Sequence, residues 1–92
     1  MLRRFVIERE IPGVGAMSPT ELCGAARTSN EALTGLAPRV QWQHSYVADN
    51  KTFCVYLAED KDAVMAHAEK SGFPATKITE VPQIIDPVTA NG

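Results

Sequence analysis

The chain alternates between segments patterned as strands and segments patterned as helices. Leu2 to Glu10 carries a short apolar run and reads as a strand, broken by Ile11-Pro12-Gly13-Val14-Gly15. Ser18-Pro19-Thr20-Glu21 is a helix start: Ser18 can cap free amides, Pro19 suits the first helical position, and Glu21 completes a capping box. Leu22, Ala25, Ala26, Leu33 and Leu36 then recur at helical spacing, and Gly35 and Pro38 close the helix. Val40 to Ala48 and Thr52 to Ala58 read as two strands joined by a tight turn. Asp60 can cap a second helix running to about Gly72, with Ala63, Val64, His67, Ala68 and Ser71 on one side. Lys77 to Ile85 reads as a fourth strand, with Pro82 confining part of it to an edge or a bulge.

The order β-α-β-β-α-β, joined by right-handed crossovers, predicts an α+β, ferredoxin-like sandwich. It has a four-stranded antiparallel sheet with two helices on one face. Residues 1–86 form one domain and residues 87–92 a flexible C-terminal tail. The other sheet face is left uncovered. A second copy stacked sheet against sheet, forming a homodimer, would cover it and enclose a cavity.

Strand parity decides which side chains face that open side. Val40, Trp42, His44, Tyr46 and Ala48 alternate with Gln41, Gln43, Ser45 and Val47 on the second strand. On the third, Thr52, Cys54, Tyr56 and Ala58 alternate with Phe53, Val55 and Leu57. A two-residue Asp49-Asn50 turn sets His44 opposite Val55 and Tyr46 opposite Phe53. A three-residue Ala48-Asp49-Asn50 turn, with Asn50 left-handed, sets His44 opposite Cys54 and Trp42 opposite Tyr56. The longer turn is the favoured one, since Asn tolerates the left-handed position. It puts Phe53, Val55 and Leu57 under the helices, and Trp42, His44, Tyr46, Cys54 and Tyr56 on the open face.

Composition narrows the function. Ninety-two residues suffice for one small domain, and 45% of them are hydrophobic. A net charge of −2 argues against general affinity for nucleic acid or anionic membranes. No stretch is long and apolar enough to span a membrane or act as a signal peptide. Cys23 and Cys54 lie far apart without a CxxC pattern and read as reduced thiols of a cytoplasmic protein. Gly13-Val14-Gly15 lacks the third glycine of a dinucleotide loop and reads as a flexible connector. Lys51 to Tyr56 faintly resembles an RNA-binding strand, but the required glycine is missing and the protein is acidic.

Four side chains are the candidate metal ligands: the imidazoles of His44 and His67, the thiol of Cys54 and the carboxylate of Glu80. No HxH, HExxH, CxxC or EF-hand motif joins them, so a metal site must be assembled in space. Trp42, Tyr46 and Tyr56 would line the pocket around them. Ser45 and His44 form no dyad, because strand neighbours point to opposite faces.

Trp42-Gln43-His44-Ser45-Tyr46-Val47, Phe53-Cys54-Val55-Tyr56, His67-Ala68, Gly72-Phe73-Pro74-Ala75 and Ile78-Thr79-Glu80-Val81 together resemble the small bacterial proteins grouped as domain of unknown function 4242. Phe5-Val6-Ile7-Glu8-Arg9 and Ile85-Asp86-Pro87 extend the likeness over nearly the whole chain. The resemblance implies a nickel-binding ferredoxin-like subunit in a dimeric α/β-barrel-like assembly; it implies no organic cofactor. The leading expectation is a small cytoplasmic Ni(II)-binding protein with its site on the open face or dimer interface. Two alternatives stand beside it. One is a small-molecule-binding protein or cofactor-free enzyme with His44 as base; the other is a structural or regulatory dimer module.

Overall fold

In the computed structural model, which describes residues 1–92, four strands and two helices follow the expected order. Strand β1 spans Arg3–Glu10, helix α1 Pro19–Thr34, β2 Val40–Val47, β3 Lys51–Ala58, α2 Lys61–Ser71 and β4 Lys77–Val81. One antiparallel sheet runs in the order β2-β3-β1-β4. That order is the ferredoxin-like topology, each β-α-β crossover placing its helix on the same side.

Local chemistry sets the helix ends. Ser18 Oγ accepts from the Glu21 amide while Glu21 Oε1 accepts from the Ser18 amide, and Pro19 opens α1. Those hydrogen bonds hold the exposed Glu21 carboxyl below its usual pKa. Asp60 Oδ1 accepts from the Ala63 amide at 2.8 Å to start α2. Gly72, in the left-handed region at φ 75°, ends it. On α2 the buried residues are Ala63, Val64, His67, Ala68 and Ser71, the side anticipated from the pattern.

The core lies between sheet and helices. Phe5 and Ile7 from β1, Cys54, Tyr56 and Ala58 from β3, Val40 from β2, and Leu36, Ala63 and Val64 from the helical layer form one buried cluster. The inward face of β3 is therefore Thr52-Cys54-Tyr56-Ala58, not Phe53-Val55-Leu57 as parity with a long turn implies. The reason lies in the neighbouring strand. Phe5 and Ile7 pair directly with Tyr56 and Cys54, and cross-strand partners share a face. Both faces of β3 are apolar, so hydrophobicity alone does not distinguish them.

The hairpin combines the two registers. Ala48 N–H donates to Lys51 O at 2.9 Å, closing a two-residue Asp49-Asn50 turn in which no residue is left-handed. His44 therefore stands opposite Val55 and Tyr46 opposite Phe53. Gln43 is then an extra residue, a β-bulge, and beyond it Trp42 stands opposite Tyr56. The bulge splits the expected stripe: Trp42 turns inward while His44 and Tyr46 turn outward. Trp42 Nε1 donates to Ser45 Oγ at 3.0 Å, so the two share a side although three residues apart.

Two further segments differ from the sequence reading. Residues 11–17 are docked rather than free. A short 3-10 turn over Val14–Ala16 leads from them into α1, and Gly15 N–H donates to Asp49 O while Ile11 N–H donates to Asn50 O. Gly13 N–H adds a bond to Asn50 Oδ1 at 3.0 Å. The last strand stops at Val81 instead of Ile85, because Pro82 has no amide to continue the ladder. Beyond it, Asp86 caps a 3-10 turn over Pro87–Asn91, and every residue from 82 onward is exposed.

Candidate functional site

The uncovered face of the sheet is built in rows. His44, Val55, Val6 and Thr79 form the central row across β2, β3, β1 and β4. Tyr46, Phe53, Glu8 and Lys77 form the row toward the hairpin turn, and Gln41, Leu57, Arg4 and Val81 the row on the other side. Val55 is already buried by its neighbours, whereas Tyr46 is 62% exposed. His44 is exposed and reaches along its own strand, with Nε2 3.2 Å from Tyr46 Oη and the two rings edge to face. A shallow depression beside it is lined by Arg4, Val6, Gln43, Val55, Val81 and Ile84.

The other expected ligands lie elsewhere. Cys54 faces the helices, buried, with Sγ 3.4 Å from Thr52 Oγ1. It is not across from His44, because the short turn and the shared face with Ile7 fix it inward. His67 is fully buried on α2, its Nε2 3.2 Å from Ser29 Oγ and its ring 4.9 Å from that of Tyr56. Glu80 pairs with Phe5, which places it at the helix-side edge of the sheet. There it accepts from Arg3 at 3.0 Å, and both side chains are about half exposed. Of the pocket-lining residues expected, Tyr46 stays on the open face, while Trp42 and Tyr56 belong to the helix side.

Beneath the helices lies a polar cluster that sequence reasoning passed over. Arg9 is 2% exposed. It donates to the Phe73 and Pro74 carbonyls at 3.3 and 2.8 Å and reaches Tyr56 Oη at 3.4 Å. No carboxylate pairs with it. The signal was the phase of β1: Arg9 continues the inward alternation of Phe5 and Ile7. The cluster shifts its own titrations. Burial, then the Arg9 charge, lowers the His67 pKa, with the Ser29 contact opposing. Burial raises the Tyr56 pKa, opposed mainly by Arg9.

Whether one chain can hold a metal follows from these positions. No three His, Cys, Asp or Glu side chains come together anywhere in it. His67 Nδ1 is buried without a hydrogen-bond partner, but the surroundings that disfavour a proton there also disfavour a metal cation. His44 alone offers an accessible imidazole. A single chain therefore does not fit a Ni(II) ion, which needs several donors.

Fold and site together define a small ferredoxin-like α+β protein whose uncovered sheet face displays one imidazole. The chain belongs to the family described as nickel responsive protein SCO4226-like, which it matches over residues 5–81. Its fold is similar to the crystal structure of SCO4226 from Streptomyces coelicolor A3(2), with a TM-score of 0.75 and 19% identity over 89% of this chain and 99% of that one. At that identity the structural likeness shows the fold alone. No match was found among curated proteins. No helix is long and apolar enough to cross a membrane.

Proposed function

We propose that this protein binds Ni(II) at a site shared between two copies, with His44 as the imidazole ligand, and serves nickel sequestration or homeostasis in the cytoplasm. The observation that carries the reading is the position of His44. It is the one histidine open to solvent, and it stands on the sheet face that neither helix covers. The nickel-responsive family supplies the metal, and the absence of a three-donor cluster within one chain supplies the need for a partner. Stacking two open faces would bury Phe53, Leu57 and Tyr46 and bring a second His44 into play. When bound, Ni(II) would accept imidazole nitrogens, with oxygen donors such as the neighbouring Tyr46 hydroxyl completing its shell. The two unpaired thiols fit a reducing compartment.

Isothermal titration of the purified protein with Ni(II) tests this reading. We expect saturable binding that weakens at least about tenfold in His44→Ala, a loss of about 1.4 kcal/mol. Undiminished affinity in that variant would remove His44 from the site.

A further inference from the structure

A cavity of about 450 Å³ lies between α1 and the inward face of the sheet, on the opposite side from His44. Its walls come from every layer: Val14 from the docked connector, Leu22 and Ala26 from α1, Trp42 from β2, Cys54 from β3 and Phe73 from the turn after α2. Most of the lining is hydrophobic, and the volume falls in the range of small-molecule sites. The first half of α1 does not close onto the sheet. Leu22, Ala25 and Ala26, which helical spacing marks as a core stripe, are only half-buried because they overhang this space. The packed part of the helix begins at Ser29 and Ala32.

Arg9 lines the same cavity. A guanidinium presents five N–H donors in a planar fork. Here three hydrogen bonds go to neutral oxygens, and no carboxylate forms an ion pair with it; Glu10, the one acidic residue of the lining, is exposed. A buried, unpaired charge in apolar surroundings is costly and is ordinarily compensated. Tyr56 and Ser29, which also line the cavity, add hydroxyl groups near the cationic end. The arrangement is an apolar chamber with one buried cation and nearby hydroxyl donors.

We infer that this cavity binds a small, largely apolar carboxylate, its carboxylate against Arg9 and its hydrocarbon part between α1 and Trp42. Arg9 selects the class: a planar fork matches a carboxylate in two-point geometry and leaves a neutral amide or alcohol with no charge to answer. The half-buried stripe of α1 covers the apolar part. The site is independent of the proposed nickel site, since it lies under the other sheet face and uses none of its residues.

Trp42 is the protein's one tryptophan and sits in the cavity wall, so its fluorescence reports occupancy directly. The test titrates the full chain, with a chelator present to keep metal out, against octanoate and its neutral counterpart octanamide. Amide-resolved NMR, following the Arg9 and Ala26 signals, locates the binding. The expected result is saturable binding of octanoate, at least about tenfold tighter than octanamide in the wild type. In Arg9→Gln that preference should fall to about one. Ala26→Phe, which fills the chamber from the helix wall, should lose both ligands while keeping its thermal midpoint. Equal affinity for octanoate and octanamide in the wild type would overturn the inference. So would no response to octanoate, benzoate or 2-naphthoate at millimolar concentration, or undiminished octanoate binding in a folded Ala26→Phe.

Discussion

His67 and His44 show what surroundings do to one side-chain type. His44 stands exposed beside Tyr46, whereas His67 is sealed on the inner side of α2 with Nδ1 unpaired and the positive charge of Arg9 nearby. Burial and that charge keep the folded pKa of His67 below the unfolded value of about 6.5. The sign of the effect follows. The folded state resists taking up the proton that the unfolded state accepts, so this contribution is complete above about pH 6.5 and is lost as pH falls through the folded value. For one proton the slope approaches about 1.4 kcal/mol per pH unit. Urea unfolding between pH 7 and pH 5 should show stability falling with pH in the wild type, and a shallower fall in His67→Gln. Equal slopes in the two proteins would show that His67 is not held neutral by the fold.

At the scale of elements, the connector between β1 and α1 is the least expected part and the most easily tested. Gly15 lies against the hairpin turn so closely that a β-carbon there would meet Asp49 Cα at 2.7 Å and the Ala48 carbonyl at 2.8 Å. Both are backbone atoms, so the turn or the connector must move. We expect Gly15→Ala to cost about 1–3 kcal/mol. Gly24→Ala, within α1 with nothing near its β-position, should instead add about 0.5–1 kcal/mol. Thermal melts of the two variants should therefore shift in opposite directions, and a Gly15→Ala melt at or above wild type would show the connector to be loose. The same scale shows which elements were legible in the sequence. Ser18, Asp60 and Gly72 mark helix ends through local chemistry, and the structure uses each of them. The facing of β3 was not legible, because Thr52-Cys54-Tyr56-Ala58 and Phe53-Val55-Leu57 are both apolar enough to be core. Nor was the bulge: nothing in Gln43 distinguishes it from a regular strand residue, yet it reverses Trp42 relative to His44. His44 lies on the open face as expected, but its neighbours are Val55 and Tyr46 rather than Cys54. The interior cluster escaped notice because a charged residue at an inward strand position reads by default as exposed, and only its phase with Phe5 and Ile7 shows otherwise.

The whole molecule has two chemically different sides. Under the helices lie a cavity, a buried guanidinium and a sealed imidazole. On the other side a bare sheet shows Phe53, Leu57 and Tyr46 around one accessible histidine. Family membership connects the molecule to nickel, and the scatter of Cys54, His67 and Glu80 away from His44 leaves one chain short of donors. The central claim is that a second copy makes up the shortfall. Native mass spectrometry of the protein with and without Ni(II) tests it most directly. The account predicts a two-chain species carrying nickel, with metal lost from that species in His44→Ala. Nickel held tightly by a single chain, or retained by the two-chain species of His44→Ala, would contradict it.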